Sequence, residues 1–220
     1  MVRNKYPEQT LEQILSVSAK LFTDKGYEKT SVQDIIDSLG MSKGAIYHHF
    51  KSKEEILDAV MDRQFSYVVQ ILNNLIDHTQ AANARDKLIS ILEKIMTNQD
   101  AHSLDSVLST QINNPQFIVT GIKVGVTKDA PIIARIILEG KEDGSISTDY
   151  PTECAEVFML LVNIWINPSL FTRNLSETVN RLKFLQHMMK LLGVDIVSDQ
   201  LIQTIIERYS NIGSYKQDEQ

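Results

Sequence analysis

The chain predicts an all-α fold, and three observations predict it. Apolar residues recur at helical spacing in almost every segment, and capping serines or asparagines stand at segment starts where glycines, prolines or asparagines close the segment before. A hydrophobic content of 43% over 220 residues is sufficient for a packed core. The arrangement expected is a three-helix head containing a tight helix-turn-helix, followed by a helical body, with about nine to ten helices in total.

Taken in order, Leu11, Ile14, Leu15, Ser18, Leu21 and Phe22 form one stripe of a helix from Thr10 to about Lys25, which Gly26 ends. Val32, Ile35, Ile36 and Leu39 fall at i, i+3, i+4 and i+7 of a second helix that Thr30 or Ser31 can cap. Gly40 suits the left-handed conformation that stops a helix, and Ser42 is ready to cap the next one. In this third helix Ile46 and Phe50 lie inward, leaving Lys43, Gly44, Ala45, Tyr47 and His48 directed outward. Two short helices joined by three or four residues with a glycine form the unit whose second helix enters the major groove of DNA. Ser52 and Glu55 then match a capping box, and apolar positions from Ile56 to Ile76 carry a fourth helix for about 25 residues.

The register of Lys25-Gly26-Tyr27, Thr30-Ser31-Val32, Asp34-Ile35, Gly40-Met41-Ser42-Lys43-Gly44, Ile46-Tyr47-His48-His49-Phe50 and Lys51-Ser52-Lys53-Glu54 resembles the N-terminal DNA-binding domain of the TetR/AcrR family of bacterial repressors. The resemblance covers roughly residues 8–60. It implies a homodimer whose residues 1–53 bind DNA and whose residues 54–220 bind a small effector and dimerise. It implies a transcriptional regulator, a repressor, seated on a palindromic operator in double-stranded DNA. Lys43 can reach a guanine edge or a phosphate, Gly44 and Ala45 let the backbone approach closely, and Tyr47 and His48 face the sugar-phosphate wall. Ser42 leaves backbone N–H groups for phosphate at its helix start. Thr30, Ser31 and Lys53 are expected at phosphates because the family places helix N-termini there. Tyr47 packing on the first helix, and plain capping by Thr30 and Ser31, are the competing readings.

Net charge of −6 argues against a generic nucleic-acid binder until it is divided along the chain. Residues 1–53 hold eight Lys or Arg against six Asp or Glu, and the remainder holds 14 against 22. A basic head and an acidic body point the head at phosphate and favour a cationic or neutral effector. One cysteine, Cys154, excludes an internal disulfide and reads as a buried thiol. Neither a signal peptide nor an apolar run of ~18 residues is present, which suggests a cytoplasmic protein away from membranes.

Helical periodicity continues through the body in segments about Ala84–Met96, Ala101–Ile112, Gln116–Lys128 and Ala130–Lys141. Gly121 and Gly125 interrupt the third of these and are read as close-packing positions. Pro151 to Asn167 is apolar over so much of its circumference that burial on two sides is expected, and Ser176 to Leu192 carries a stripe of Val179, Leu182, Leu185, Met188, Met189 and Leu192. The family resemblance implies a four-helix interface between two copies, which makes Phe158, Met159, Val162, Leu182, Leu185 and Met189 the candidate dimer interface, with intramolecular core as the plainer alternative. Phe117, Phe158, Trp165 and Asn163 are the candidate effector pocket. No cofactor, metal-ligand spacing or catalytic constellation stands out, since His78, His102 and His187 are scattered and His48 and His49 adjacent. A helical protein-interaction adaptor or an effector-independent DNA-binding protein is the alternative function, with an enzyme the least favoured.

Overall fold

The computed structural model describes residues 7–215, whose regular structure is entirely helical. The helices are α1 (Pro7–Lys25), α2 (Val32–Leu39), α3 (Lys43–His49), α4 (Lys53–His78), α5 (Ala84–Thr97), α6 (Asp105–Thr110), α7 (Pro115–Val124), α8 (Ala130–Glu142), α9 (Pro151–Leu160), α10 (Pro168–Phe171), α11 (Leu175–Leu191) and α12 (Asp199–Asn211). The chain forms two compact units. One holds the described residues up to Tyr67 together with Ser103–Thr110, and the other holds Val68–His102 with the described residues from Gln111 onward.

In the first unit the apolar stripes of α1, α2, α3 and the start of α4 meet in a core of Ile14, Phe22, Ile35, Ile46, Ile56 and Val60. Leu104 and Val107, from the stretch that contains α6, are buried there too, and α6 packs on α1. Local signals act as their chemistry requires. Ser31 caps α2 reciprocally with Asp34: its hydroxyl accepts from the Asp34 N–H, while the Asp34 carboxylate accepts from the Ser31 N–H at 2.7 Å. Caps of this kind are worth ~1 kcal/mol. Gly40 ends α2 with φ of 62°, and the N–H groups of Gly40 and Met41 return to the carbonyls of Asp37 and Ile36, closing the helix in the Schellman pattern. At α4 the expected capping box is half made. Ser52 accepts from the Glu55 N–H at 3.2 Å, but the Glu55 carboxylate takes the Lys51 N–H at 2.7 Å. Arg63 then ties α4 to α1 by bonding Glu12 at 2.5 Å and Ser16 at 2.9 Å.

The second unit is built around α5, α8, α9, α11 and α12. Its buried core includes Leu88, Ile91, Ile136, Ile137, Phe158, Leu182, Leu185, Met189 and Leu201. Four candidate interface residues are corrected by this: Phe158, Leu182, Leu185 and Met189 are sealed inside the unit, where a second subunit has no access to them. Met159 and Val162 lie partly buried against the same core. The physical reason is that α9 packs on α8 and α11 packs on α12 and α9, so their richest apolar faces are used within the chain. The outward positions carry Val157, Phe184 and Leu191 instead.

The segments expected to end near Lys128 and to begin at Ala130 are not separate. α7 passes into α8 through a π turn at Gly125–Asp129. Pro131 explains the wide turn, because a proline removes one helix donor and its ring crowds the carbonyl one turn earlier. Gly121 faces open space rather than a packed neighbour, whereas Gly125 is buried, with the Asn163 Nδ2 3.9 Å from where a Cβ would stand. A second π turn, Leu161–Trp165, extends α9. Asn174 caps α11 in a reciprocal pair with Glu177. Gly193, at φ 77°, lets its carbonyl accept the Ser147 N–H at 3.1 Å. Cys154 is buried, its Sγ 3.4 Å from the Thr148 hydroxyl. Among the described residues no helix is long and apolar enough to cross a membrane.

Candidate DNA-binding surface

Helix α3 owes its orientation to Ile46, which is 0% exposed and anchors its inner side. Ser42 caps the helix by accepting the Ala45 N–H at 3.3 Å. With Ile46 fixed inward, the helical phase leaves Ser42, Lys43, Gly44 and His48 exposed, Ala45 half-buried and Tyr47 43% exposed. The Lys43 ammonium lies 5.5 Å from the centre of the Tyr47 ring and forms no ion pair among the described residues. Nothing stands within 4 Å of where a Cβ on Gly44 would be, so the backbone here is open to a close neighbour. His48 and His49 stack edge-on at 5.4 Å, with His49 the more buried.

The structure separates the expected phosphate contacts into two kinds. Ser31 is exposed at the start of α2, alongside Asp34, whose carboxylate is held well below the usual range by Lys25 at 2.8 Å and by Ser31. Thr30 is corrected: it is 2% exposed, its hydroxyl donates to the carbonyls of Gly26 at 2.8 Å and Leu21 at 3.2 Å, and its N–H donates to Tyr27. It ties the end of α1 to the start of α2. Lys53 is likewise engaged within the unit: its ammonium donates to the Tyr27 carbonyl at 3.0 Å and lies 4.1 Å above the Tyr27 ring. Burial of that ring, with Glu54 next to it, pushes the Tyr27 hydroxyl up to about 12. Lys29 is exposed just before α2.

The region so described matches a known protein-family model, bacterial regulatory proteins of the tetR family, over residues 14–60. Residues 98–187 match a second one, the tetracyclin repressor-like C-terminal domain. The chain belongs to the TetR/AcrR family. Among TetR-family relatives, the HTH-type transcriptional repressor KstR2 of Mycolicibacterium smegmatis is 39% identical over 71 residues, 30% of this chain and 35% of that protein. KstR2 of Rhodococcus jostii is 27% identical over 159 residues, 67% of this chain and 72% of that protein. The matched stretch spans about a quarter to a third of the length of several of the curated relatives. A transcriptional regulator from Cytophaga hutchinsonii shares the fold, with a TM-score of 0.63, 16% identity, and coverage of 93% of this chain and 95% of that one. The matching models and these relatives are regulators of transcription, not enzymes.

In the TetR-family body the four residues expected to line a pocket differ in burial. Phe158 is sealed in the core, Phe117 and Trp165 are half-buried, and Asn163 is exposed beside Gly125. A cleft of about 540 Å³ lies elsewhere, among Asp77, Thr79, Asn83, Lys87, Glu139 and Glu142. It is open and acidic, formed where the end of α4 meets the start of α5 and the end of α8. Periodicity could not reveal it, because its polar lining comes from helix ends rather than from a stripe.

Proposed function

We propose that this chain is a DNA-binding transcriptional repressor of the bacterial cytoplasm that holds a palindromic operator as a homodimer and releases it when a small molecule binds the body. In this reading residues 1–53 carry DNA binding, and residues 54–220 carry effector binding and dimerisation. The observation that carries it is α3, whose Ile46 is locked inward while Lys43, Gly44, Tyr47 and His48 stand outward. Such a seven-residue helix reaches only a few base edges, so useful specificity requires two heads. A two-fold pair places them about 34–36 Å apart on successive major-groove faces. Ser31, Ser42 and Ala45 complete the DNA-facing set, with Lys43 on a base edge or phosphate and Tyr47 and His48 on the backbone wall. The relatives named transcriptional repressors support the direction of control.

For dimerisation, Val157 on α9 and Phe184 and Leu191 on α11 are large apolar side chains left outward, and exposed apolar surface of this kind is what a second copy covers. Effector binding acts through α4, a single helix of 26 residues that begins in the first unit and ends in the second. A body state preferred by ligand tilts this helix and takes the two recognition helices out of register with the groove. A coupling of ~1–3 kcal/mol changes DNA affinity roughly five- to 150-fold, enough for a switch. The test is selection of bound sequences from random duplex DNA by the full chain. An inverted repeat with half-sites one helical turn apart is expected. Enrichment of no sequence, or DNA association untouched in Lys43→Ala and Tyr47→Ala, overturns the reading in favour of a helical adaptor.

A further inference from the structure

Two arginines of the second unit converge on Trp165, and among the described residues neither has an ion-pair partner. Trp165 ends the π turn after α9, and the guanidinium carbons of Arg173 and Arg181 lie 5.9 Å and 5.7 Å from its ring centre. Phe171 stands 4.2 Å from the Arg173 guanidinium, and Phe184 meets Trp165 edge-on at 5.8 Å. Thr172, between α10 and Arg173, takes a left-handed conformation at φ 50°, which a β-branched residue rarely adopts and which aims the arginine back at the π turn.

Buried charge is costly unless it is paired and hydrogen-bonded. Arg173 is 8% exposed and donates from Nη1 to the Trp165 carbonyl. Arg181 donates from Nη1 to the Glu177 carbonyl at 2.9 Å, and its Nε is buried with no acceptor. Neither guanidinium forms an ion pair among the described residues. Glu177, the acidic group whose field reaches Arg173, spends its carboxylate on the Asn174 N–H at 3.1 Å. Burial first, and then repulsion from Arg181, hold the Arg173 guanidinium below its usual value.

We propose that Arg173 and Arg181 over Trp165 bind the anionic head, a carboxylate or phosphate, of a small molecule with an apolar body. The planar guanidinium fork is matched to two oxygens of such a group. The apolar body finds Phe171, which is 48% exposed and borders the cluster. This deepens the effector-controlled reading, on which it rests for the ligand's regulatory role. It also reverses the expectation of a cationic or neutral effector drawn from the acidic balance of the body, because local charge at this cluster is positive.

Trp165 is the only tryptophan of the chain, so its emission reports the site directly. The test titrates the full protein, without DNA, with octanoate and octyl phosphate, and with octyltrimethylammonium as the cation of matched size. A saturable change with an anionic probe and none with the ammonium is expected. Arg181→Gln, checked for an unchanged melting profile, weakens that binding on the order of tenfold or more. Arg181→Lys recovers part of it, which separates loss of charge from loss of packing. No response to either anion, an equal response to the ammonium, or unchanged anion affinity in Arg181→Gln overturns the proposal. So does the finding that Trp165 emission shifts on diluting the ligand-free protein while Arg181→Gln impairs only self-association, since the counter-charge then comes from a second copy. A chain that binds the anions but selects no operator keeps this site and loses the regulator reading. One that selects an operator and ignores the anions does the reverse.

Discussion

Gly44→Ala separates DNA recognition from stability more cleanly than any other single change. The glycine is the second residue of α3, and an added methyl meets no atom within 4 Å. Within the isolated protein the substitution is therefore free of clash, and it gains helix propensity worth up to ~0.5–1 kcal/mol. In the proposed complex with DNA the same methyl lies where the helix backbone approaches base edges. Overpacking by one such group costs about 1–3 kcal/mol, and two heads of a dimer double it to about 2–6 kcal/mol. At the lower end that is roughly a 30-fold loss of operator affinity. Fluorescence anisotropy on the selected operator measures the affinity, with thermal melting as the control. Operator binding equal to or tighter than that of the unmodified protein, with melting temperature unchanged or raised, refutes the placement of Gly44 against the groove.

Thr30→Val keeps the shape of a buried side chain but removes the hydroxyl bonded to the Gly26 and Leu21 carbonyls, so melting of the protein should reveal a loss of about 1–3 kcal/mol. If the salt dependence of DNA binding also falls, Thr30 is meeting phosphate after all. Gly193→Ala forces a Cβ to 2.6 Å from the Ser147 hydroxyl and 3.0 Å from its backbone, at φ 77°, and about 2–5 kcal/mol of destabilisation by denaturant titration is expected. A neutral result means that the 144–149 segment moves aside. Asp129, partly buried in the first π turn, has its carboxyl pushed up to about 6 by burial, against the opposing pull of Lys128. A raised carboxyl favours the folded state below about pH 4 and withdraws that advantage as pH rises through about 6. Asp129→Asn is therefore expected to be more stable than the unmodified protein by roughly 1–3 kcal/mol at pH 7.5, with the gap closing toward pH 4. Denaturant midpoints at the two pH values check this, and a gap that does not narrow in acid contradicts it.

What could be read from the sequence was local. Gly40, Ser42 and Ser31 act on their own neighbours within four residues, so their turns and caps follow from residue type alone. The outward set on α3 follows in turn from the phase of Ile46. What stayed hidden depends on contacts between distant segments. The apolar circumference of α9 and the apolar stripe of α11 call for burial without saying by what, and Phe158, Leu182, Leu185 and Met189 proved to face their own chain. Thr30 sits where phase gives no direction, in the turn between two helices, and only the nearby carbonyls of α1 and Gly26 show that it points inward. Arg173 and Arg181 are eight residues apart on opposite sides of a helix start. Their meeting over Trp165 depends on the left-handed Thr172, which no periodicity signals.

Cys154 has a practical consequence. The chain's one thiol is shut in the interior of the second unit, so it should react slowly with maleimide or methanethiosulfonate reagents while the fold is intact. Single cysteines placed on the outer side of α3 then carry spin or fluorescent labels without removal of the native residue. In the proposed dimer two such labels give a ruler between the two copies of α3, and its reading with and without octanoate tests whether the heads move.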